Sequence, residues 1–519
     1  LIAMIFIRFF LLLAPFLSGV LLFLAFPGYD QAWVAWVALV PVFMATSGRS
    51  LKYGFLSWLV CGMVFNVGIF NWILEVPRYT LIHHTILALY LGSYMGVFGL
   101  VFCFISRRWG VATGFIGAPF VWVCLEYVRS NLWFMALPWG LLAHSQYQCP
   151  LIIQSASFTG AYGVSFLIVL VNSALALAIL NRGVRGNLSV LLTTAGLIAM
   201  AVLYGQIILS RPLAAGKMKV AVVQGNIEQT IKWDPEYANQ ILQTYAELSR
   251  SASQDRPALI VWPETATPGF VLKHLALLKQ MVTLIRSIKT HFLIGSAEYP
   301  KFTFTNIPFN PKKGGNTALF FSPNGKVIGQ YLKIRLVPFS ECVPYEGVIP
   351  WPHFIVPKGK KSFLIPGKEV ILFDLEGTKF GTLICWETIF PGLFRKFVRN
   401  GADFMVNITN EAWFNQSAAP YQFLAMSVFR AVENRVSLVR AGNTGISCFI
   451  NPNGRIIGRV QNNNKELFVK GYLTGEIPLS QNRTFYTSYG DVFIYISLVI
   501  TLMLIILSLF RAKRVGVTG

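Results

Sequence analysis

The chain has 519 residues, 54% of them apolar, and a mean hydropathy of +0.56. It is too long for one ordinary domain and too apolar for a purely soluble protein, so a membrane part and a globular part are expected. The formal charge of +22 fits basic loops beside a membrane and a basic domain near anionic headgroups; no nucleic-acid-binding motif accompanies it, which argues against a nucleic-acid partner.

A membrane helix needs about 20 mostly apolar residues. Such runs fall at 4–26, 32–46, 53–74, 81–105, 111–128, 160–181, 187–209 and 492–510. They predict a polytopic α-helical bundle of eight spans, seven within 1–210 and the eighth at 492–510. The second run is the shortest and carries Pro41. The first is too long for the core of a signal peptide and is followed at once by further spans, so it is read as a retained helix.

Basic residues near span ends stay cytoplasmic. With eight spans, Arg8, Arg49, Lys52, Arg107, Arg108, Arg182, Arg185, Arg511, Lys513 and Arg514 fall on one side, while Asp30, Glu75 and Arg78 fall on the other. Residues 217–483 then form an extracytoplasmic domain tethered at both ends.

Cys61, Cys103 and Cys124 lie within spans; Cys149, Cys342, Cys385 and Cys448 face an oxidising compartment, where a disulfide is the default fate. Pairs among them stay open. No CxxC or Cys/His ligand spacing occurs, so neither a metal nor a cofactor is expected.

Within 217–483, short β-rich runs ("KVAVVQGN", "ALIVWPET", "HFLIGSAEY", "NTALFFSPNG", "GTLICWE", "ADFMVNITNEAW", "VSLVRAGNTG", "SCFINPNG") alternate with helical patterns at 236–252, 271–289, 392–399 and 417–435. That alternation predicts an α/β domain. "SPNGKVIG" and "NPNGRIIG" each read as a hairpin, with Asn-Gly favouring type I′ geometry, and their near duplication hints at a two-sheet sandwich.

Chemistry in such folds collects beyond the carboxyl ends of strands. Glu264 closes "IVWPE", Cys385 and Glu387 close "LICWE", and Lys333 and Glu341 lie in "YLKIRLVPFSECVP". A thiol reacts as thiolate, and a nearby cation or helix N-terminus lowers its pKa. "TIFPGLFRKF" reads as a helix start whose amides would hold an oxyanion beside Cys385. Glu264 would take the thiol proton and Lys333 would stabilise developing negative charge. Taken singly, a strand cysteine is more often an inert hydrophobe, and each acid or lysine a solvated or ion-paired surface group.

"WPE", Lys333 eight residues before Glu341, and "CWE" together resemble the Glu-Lys-Cys site of the nitrilase, or carbon-nitrogen hydrolase, superfamily. Eight spans joined to such a domain resemble its membrane-embedded branch, the apolipoprotein N-acyltransferases, as do "QGNIEQTIKW", "LVPFSECVPYE", "NITNEAWF" and "LPWG". The resemblance implies an α-β-β-α sandwich, with Glu264 as base, Lys333 as stabiliser and Cys385 as acyl-carrying nucleophile. Glu341, Glu387 and Trp386 are its supporting residues; Trp233, Trp139, Trp413 and Asn410 are its substrate-binding residues. Glu411 and Ser488 depart from the family pattern and are expected to affect only contacts at the domain edge.

The resemblance implies transfer of an acyl chain from a phospholipid to the α-amino group of a diacylglyceryl-cysteine apolipoprotein, in the bacterial inner membrane with the catalytic domain in the periplasm; the sequence leaves the oligomeric state open, with a monomer the first expectation. A bilayer is needed because each methylene contributes about 0.8 kcal/mol, so drawing a 16-carbon chain into water would cost roughly 12 kcal/mol. The apolar segment 130–154 and the mixed segment 348–367, with Trp351 and Phe354, are expected to frame a lateral gate, the second as a mobile arm reaching headgroups. Two other classes compete: a tethered amidase using the same three residues on an exported amide, and a transporter or sensor. The scarcity of ionisable residues inside the spans, apart from Glu126, argues against the last.

Overall fold

A computed structural model describes residues 2–180, 184–213, 216–298, 313–479 and 483–515. The chain forms two compact units, Leu1–Arg211 with Tyr489–Gly519, and Pro212–Ser488.

The first unit is helical. Among the described residues, six helices are long and apolar enough to cross a membrane: Leu51–Ile69, Leu81–Trp109, Val111–Asn131, Ala161–Leu180, Leu188–Leu209 and Val492–Arg511. A further helix covers Ile2–Leu24. The run 32–46 is not one helix; it breaks into a 3-10 turn, Ala32–Trp36, and a seven-residue helix, Val40–Thr46, that Pro41 starts rather than continues. The backbone groups freed at the break are met by buried Asn172, which accepts from the Leu39 N–H at 2.8 Å and donates to the Ala35 carbonyl at 2.9 Å. Such internal satisfaction is what irregular backbone needs away from water. Phe43, Trp58, Phe98, Phe102, Phe115 and Trp122 form a mainly edge-to-face aromatic core beside it.

The segment expected to be an apolar loop at 130–154 is largely interior. Trp139, Leu141, Leu142 and Ala143 are buried, because Glu126 accepts from the Trp122 indole at 3.0 Å and from the Leu142 N–H at 2.9 Å and so folds the segment inward. Its apolar character is that of a core; Trp133 alone among its tryptophans is well exposed.

Among the described residues, the second unit contains twelve strands: β1 (Lys217–Gln224), β2 (Leu259–Val261), β3 (His291–Glu298), β4 (Gly315–Phe321), β5 (Val327–Leu332), β6 (Leu372–Leu375), β7 (Thr378–Ile384), β8 (Phe404–Thr409), β9 (Ser437–Gly442), β10 (Cys448–Ile450), β11 (Ile456–Arg459) and β12 (Gly471–Pro478). They make two six-stranded sheets, β12-β1-β2-β3-β4-β5 and β11-β10-β9-β8-β7-β6. Both share one plan: a parallel triplet (β1-β2-β3; β7-β8-β9), an antiparallel strand before it, and a hairpin strand pair after it. Phe320 meets Phe373 and Phe380 across the space between the sheets, at 5.3 Å in each case.

Helices Ala238–Ser253 and Leu275–Ile288 cover the outer face of the first sheet, placing Ile241, Tyr245, Met281 and Ile285 on Ile260, Trp262 and Phe292. Helices Pro391–Arg399 and Ala419–Asn434 follow β7 and β8 in the second half. Parallel strands covered in this way read as continuous apolar runs, which is why β2 is simply "LIV".

Both Asn-Gly hairpins form, but not as type I′ turns. Only Gly325 and Gly454 have positive φ (74° and 81°) within them; Asn324 and Asn453, which type I′ would also need at positive φ, do not. Each is instead a proline-led turn followed by a left-handed glycine, with a register shift in the adjoining ladder.

Candidate active site

Four strands carried in one direction end at the same place. Glu264 lies three residues past the end of β2, and Lys333, Cys385 and Asn410 directly follow β5, β7 and β8. Lys333 is fully buried; its ammonium donates to Glu341 Oε1 at 2.8 Å and Glu264 Oε1 at 3.4 Å. Glu264 also accepts from the Asn316 amide at 2.7 Å and from the Asn410 N–H at 2.8 Å, the first on Oε1 and the second on Oε2. Its head is thereby fixed by one cation and two dipoles. Glu341 Oε2 accepts from the Val337 N–H at 2.8 Å, which folds its own loop back under Lys333.

Cys385 has φ of +57°, a left-handed conformation that turns the chain sharply where β7 ends. The residue begins a 3-10 turn, Cys385–Ile389, and the helix expected to start beside it begins only at Pro391. The thiol pKa is not lowered, contrary to the sequence expectation. Burial pushes it well up, the Glu264 and Glu341 charges add to that, and Lys333 only partly opposes them. The resting sulfur is a thiol, and it needs a base to lose its proton. Lys333 stays protonated: burial pulls its pKa down, but Glu341, Glu264 and Cys385 outweigh burial and the net shift is upward.

Glu387 holds the turn. It is fully buried and accepts from the N–H groups of Ile334 (2.7 Å), Arg335 (2.9 Å) and Ile384 (2.8 Å) and from the Tyr331 hydroxyl (3.0 Å). One carboxylate so joins the end of β7 to the Lys333 loop. Burial pushes its pKa up to about 7, against the pull of those backbone donors. Trp386 sits on the flank, its indole donating to the Arg335 carbonyl and its ring edge-on to Phe390 at 5.0 Å.

The structure thus brings Glu264, Lys333, Cys385, Glu341, Glu387 and Asn410 together. Trp233 and Trp413 are half-exposed and joined to the site only through their chain neighbours among the described contacts. Trp139 belongs to the helical unit, tilted against Trp72 at 5.0 Å. All seven cysteines are unpaired.

Residues 219–485 match the carbon-nitrogen hydrolase family, and residues 18–174 match the apolipoprotein N-acyltransferase N-terminal domain. The apolipoprotein N-acyltransferase of Geobacter metallireducens is 38% identical over 497 residues, covering 92% of this chain and 91% of that protein. The chain belongs to the apolipoprotein N-acyltransferase family. Its counterpart from Chlorobaculum tepidum is 28% identical over 525 residues, covering 96% of each. Among solved structures, a nitrilase-superfamily member from Saccharomyces cerevisiae is 21% identical, with a TM-score of 0.38, over 51% of this chain and 92% of that one.

Within this member of the family, the Glu411 departure does not lie at a domain edge. Glu411 is buried and ion-paired to buried Arg440, whose guanidinium donates to Asn407 Oδ1 at 2.7 Å; Asn407 in turn donates to the Cys385 carbonyl at 3.2 Å. An acid at 411 therefore supports the nucleophile turn from behind. Ser488 does sit near the end of the unit, where Arg395 donates to its carbonyl at 3.0 Å. Sequence reasoning also missed Asn316, Lys232 and Asn407; the one signal for Lys232 was its place in "QGNIEQTIKW".

Proposed function

We propose that the chain transfers a fatty acyl group from a phospholipid to the N-terminal α-amino group of a diacylglyceryl-cysteine apolipoprotein in two steps through Cys385. In the first, Glu264 takes the thiol proton, sulfur attacks the acyl carbonyl carbon, the ester C–O bond breaks, and Glu264 returns the proton to the departing lysophospholipid oxygen. In the second, the acceptor amine attacks the thioester, Glu264 takes a proton from the nitrogen and passes it to sulfur as the C–S bond breaks, restoring the thiol and the carboxylate. Lys333 offsets the negative charge of both tetrahedral intermediates.

The observation that carries this reading is the convergence of a fixed carboxylate, a buried ammonium and a cysteine thiol at the ends of strands from both sheets. The membrane supplies both substrates. We read the chain as crossing the bacterial inner membrane eight times, within 1–210 and at 492–510, with the catalytic domain 217–483 periplasmic; the alternation of basic loops along the sequence supports that orientation. It acts as a monomer, with Trp233, Trp413 and Asn410 contacting substrate.

Intact-mass measurement of protein incubated with phospholipid tests the route. Wild-type protein gains about the mass of one fatty acyl chain, Cys385→Ala gains none, and Cys385→Ser retains a weak oxygen ester at most. A normally acylated alanine variant would remove Cys385 as nucleophile, and ammonia release without any acyl adduct would point to an amidase.

A further inference from the structure

Two ammonium groups face the proposed base and nucleophile, and only one has been given a task. Lys232 is almost completely buried, directly before half-exposed Trp233. Its ammonium donates to the Glu264 backbone carbonyl at 3.0 Å, and its charge bears on both Glu264 and Cys385. Burying an ammonium is expensive unless something negative offsets it. Lys333 makes its closer contact with Glu341, 2.8 Å against 3.4 Å to Glu264, which leaves Glu264 and Cys385 short of positive charge.

The segment leading to Lys232 is stitched to the same acid from the other side. Gln229 accepts from the Asn410 side chain at 2.8 Å while the Asn410 backbone donates to Glu264. Asn443 accepts from the Ile227 N–H at 2.9 Å and donates to Asn410 at 3.0 Å. Residues 226–232 form a strap that reaches Glu264 at its carbonyl through Lys232 and at its carboxylate through Gln229 and Asn410.

We propose that Lys232 is the second cation of the site, a positioning residue that anchors the loop bearing Glu264 and offsets the negative charge Glu264 and Cys385 share as the thiol proton moves. This rests on Cys385 as nucleophile and Glu264 as base. Other charges reach the group at one remove: Lys333 and Glu341 act on Cys385, Glu387 acts on Lys333, and Arg440-paired Glu411 senses Glu264. Burial brings the Lys232 pKa down to about 8, with Glu264 and Cys385 holding it from falling further, so the charge is present at neutral pH and lost in mild alkali.

The test is the rate of acyl-enzyme formation with phospholipid in mixed micelles, followed by intact mass from pH 5 to 10 in wild type, Lys232→Met and Lys232→Arg, with Cys385→Ala alongside. In Lys232→Met, acylation slows about tenfold at neutral pH, as one pKa unit on the reacting pair would give, and its acidic limb moves to higher pH. Lys232→Arg keeps the neutral-pH rate and retains it above pH 8, where the wild type loses the contribution of the charge. If Lys232→Met does not fold, the comparison of wild type with Lys232→Arg above pH 8 decides alone. Coincident profiles overturn the proposal, as does a methionine variant slowed equally at every pH with a lowered melting temperature. Acylated Cys385→Ala would instead overturn the reading beneath it.

Discussion

The backbone N–H of Asn410 donates to Glu264 Oε2 at 2.8 Å across 146 positions of sequence. It joins the end of β8 in one sheet to the loop after β2 in the other, and it leaves the carboxylate oriented before any substrate arrives. Since Asn316 and Lys333 both donate to the other oxygen, Glu264→Gln must turn an NH2 group toward a donor on one side or the other. The variant should lose the proton-accepting step, slowing acyl-enzyme formation by about 10²- to 10⁴-fold. Stopped reactions analysed by intact mass give the rate; acylation at more than a tenth of the wild-type rate would exclude Glu264 as base.

Glu387 makes a different kind of contribution. Its carboxylate is the acceptor for three backbone N–H groups and the Tyr331 hydroxyl, all at the joint between β7 and the Lys333 loop. Leaving a buried donor unpaired costs about 1–3 kcal/mol each. Glu387→Ala should therefore lower stability by roughly 3 kcal/mol or more, and acylation should fall with it, because the Cys385 turn loses its support. A thermal melt beside an acylation assay separates this from Glu264→Gln, which sets one donor pair against each other rather than stranding four donors and should lose far more rate than its smaller fall in melting accounts for.

The sandwich was legible because its strands are short apolar runs broken at polar ends, and because Asn-Gly marks two hairpins. The positions of Glu264, Lys333 and Cys385 followed from the rule that chemistry gathers at strand ends. What stayed hidden depends on three-dimensional enclosure. Apolar composition alone does not separate a loop on lipid from one packed inside a bundle, so Trp139 and its neighbours read as surface. Nothing local announces that Glu411 will meet Arg440, or that desolvation of the Cys385 thiol will outweigh a neighbouring lysine. The proline before each Asn-Gly was a local signal against type I′ geometry, and it outweighs the dipeptide.

Glu298, at the end of β3, gives a pH signature separate from catalysis. It is fully buried; Oε1 accepts from the Ser296 hydroxyl at 2.6 Å and the Leu272 N–H at 3.3 Å, and Oε2 has no hydrogen-bond partner among the described residues. Burial pushes its pKa from 4.5 up to about 7, the surrounding donors only moderating the shift. Between those values the folded state holds a proton that the unfolded state has released, so stability falls as pH rises from 4.5 to 7. Glu298→Gln lacks this titration. Its stability relative to wild type should increase by on the order of 1–3 kcal/mol across that window, read from denaturant melts at pH 5 and pH 7.5. A difference that does not change with pH would assign Glu298 an ordinary acid pKa.

The segment 348–367 bears on how the site would meet lipid. Trp351, expected to be an exposed anchor, turns inward: its indole donates to the Pro344 carbonyl at 2.7 Å and its ring lies edge-on to Phe339 at 4.9 Å. Among the apolar side chains it leaves outward, Val348, Phe354 and Phe363 are 76%, 54% and 52% exposed. Trp351→Ser would therefore loosen the segment itself and confound any lipid effect, whereas Val348→Ser with Phe363→Ser replaces two side chains that face outward. If these two side chains enter the headgroup layer, the double variant should melt like the wild type yet acylate more slowly from phospholipid in vesicles, by about three- to tenfold, with the deficit shrinking for a short-chain ester dissolved in water. Equal rates from vesicles would show that this surface does not engage the bilayer, and an equal loss on the soluble ester would place the effect at the site rather than at the membrane.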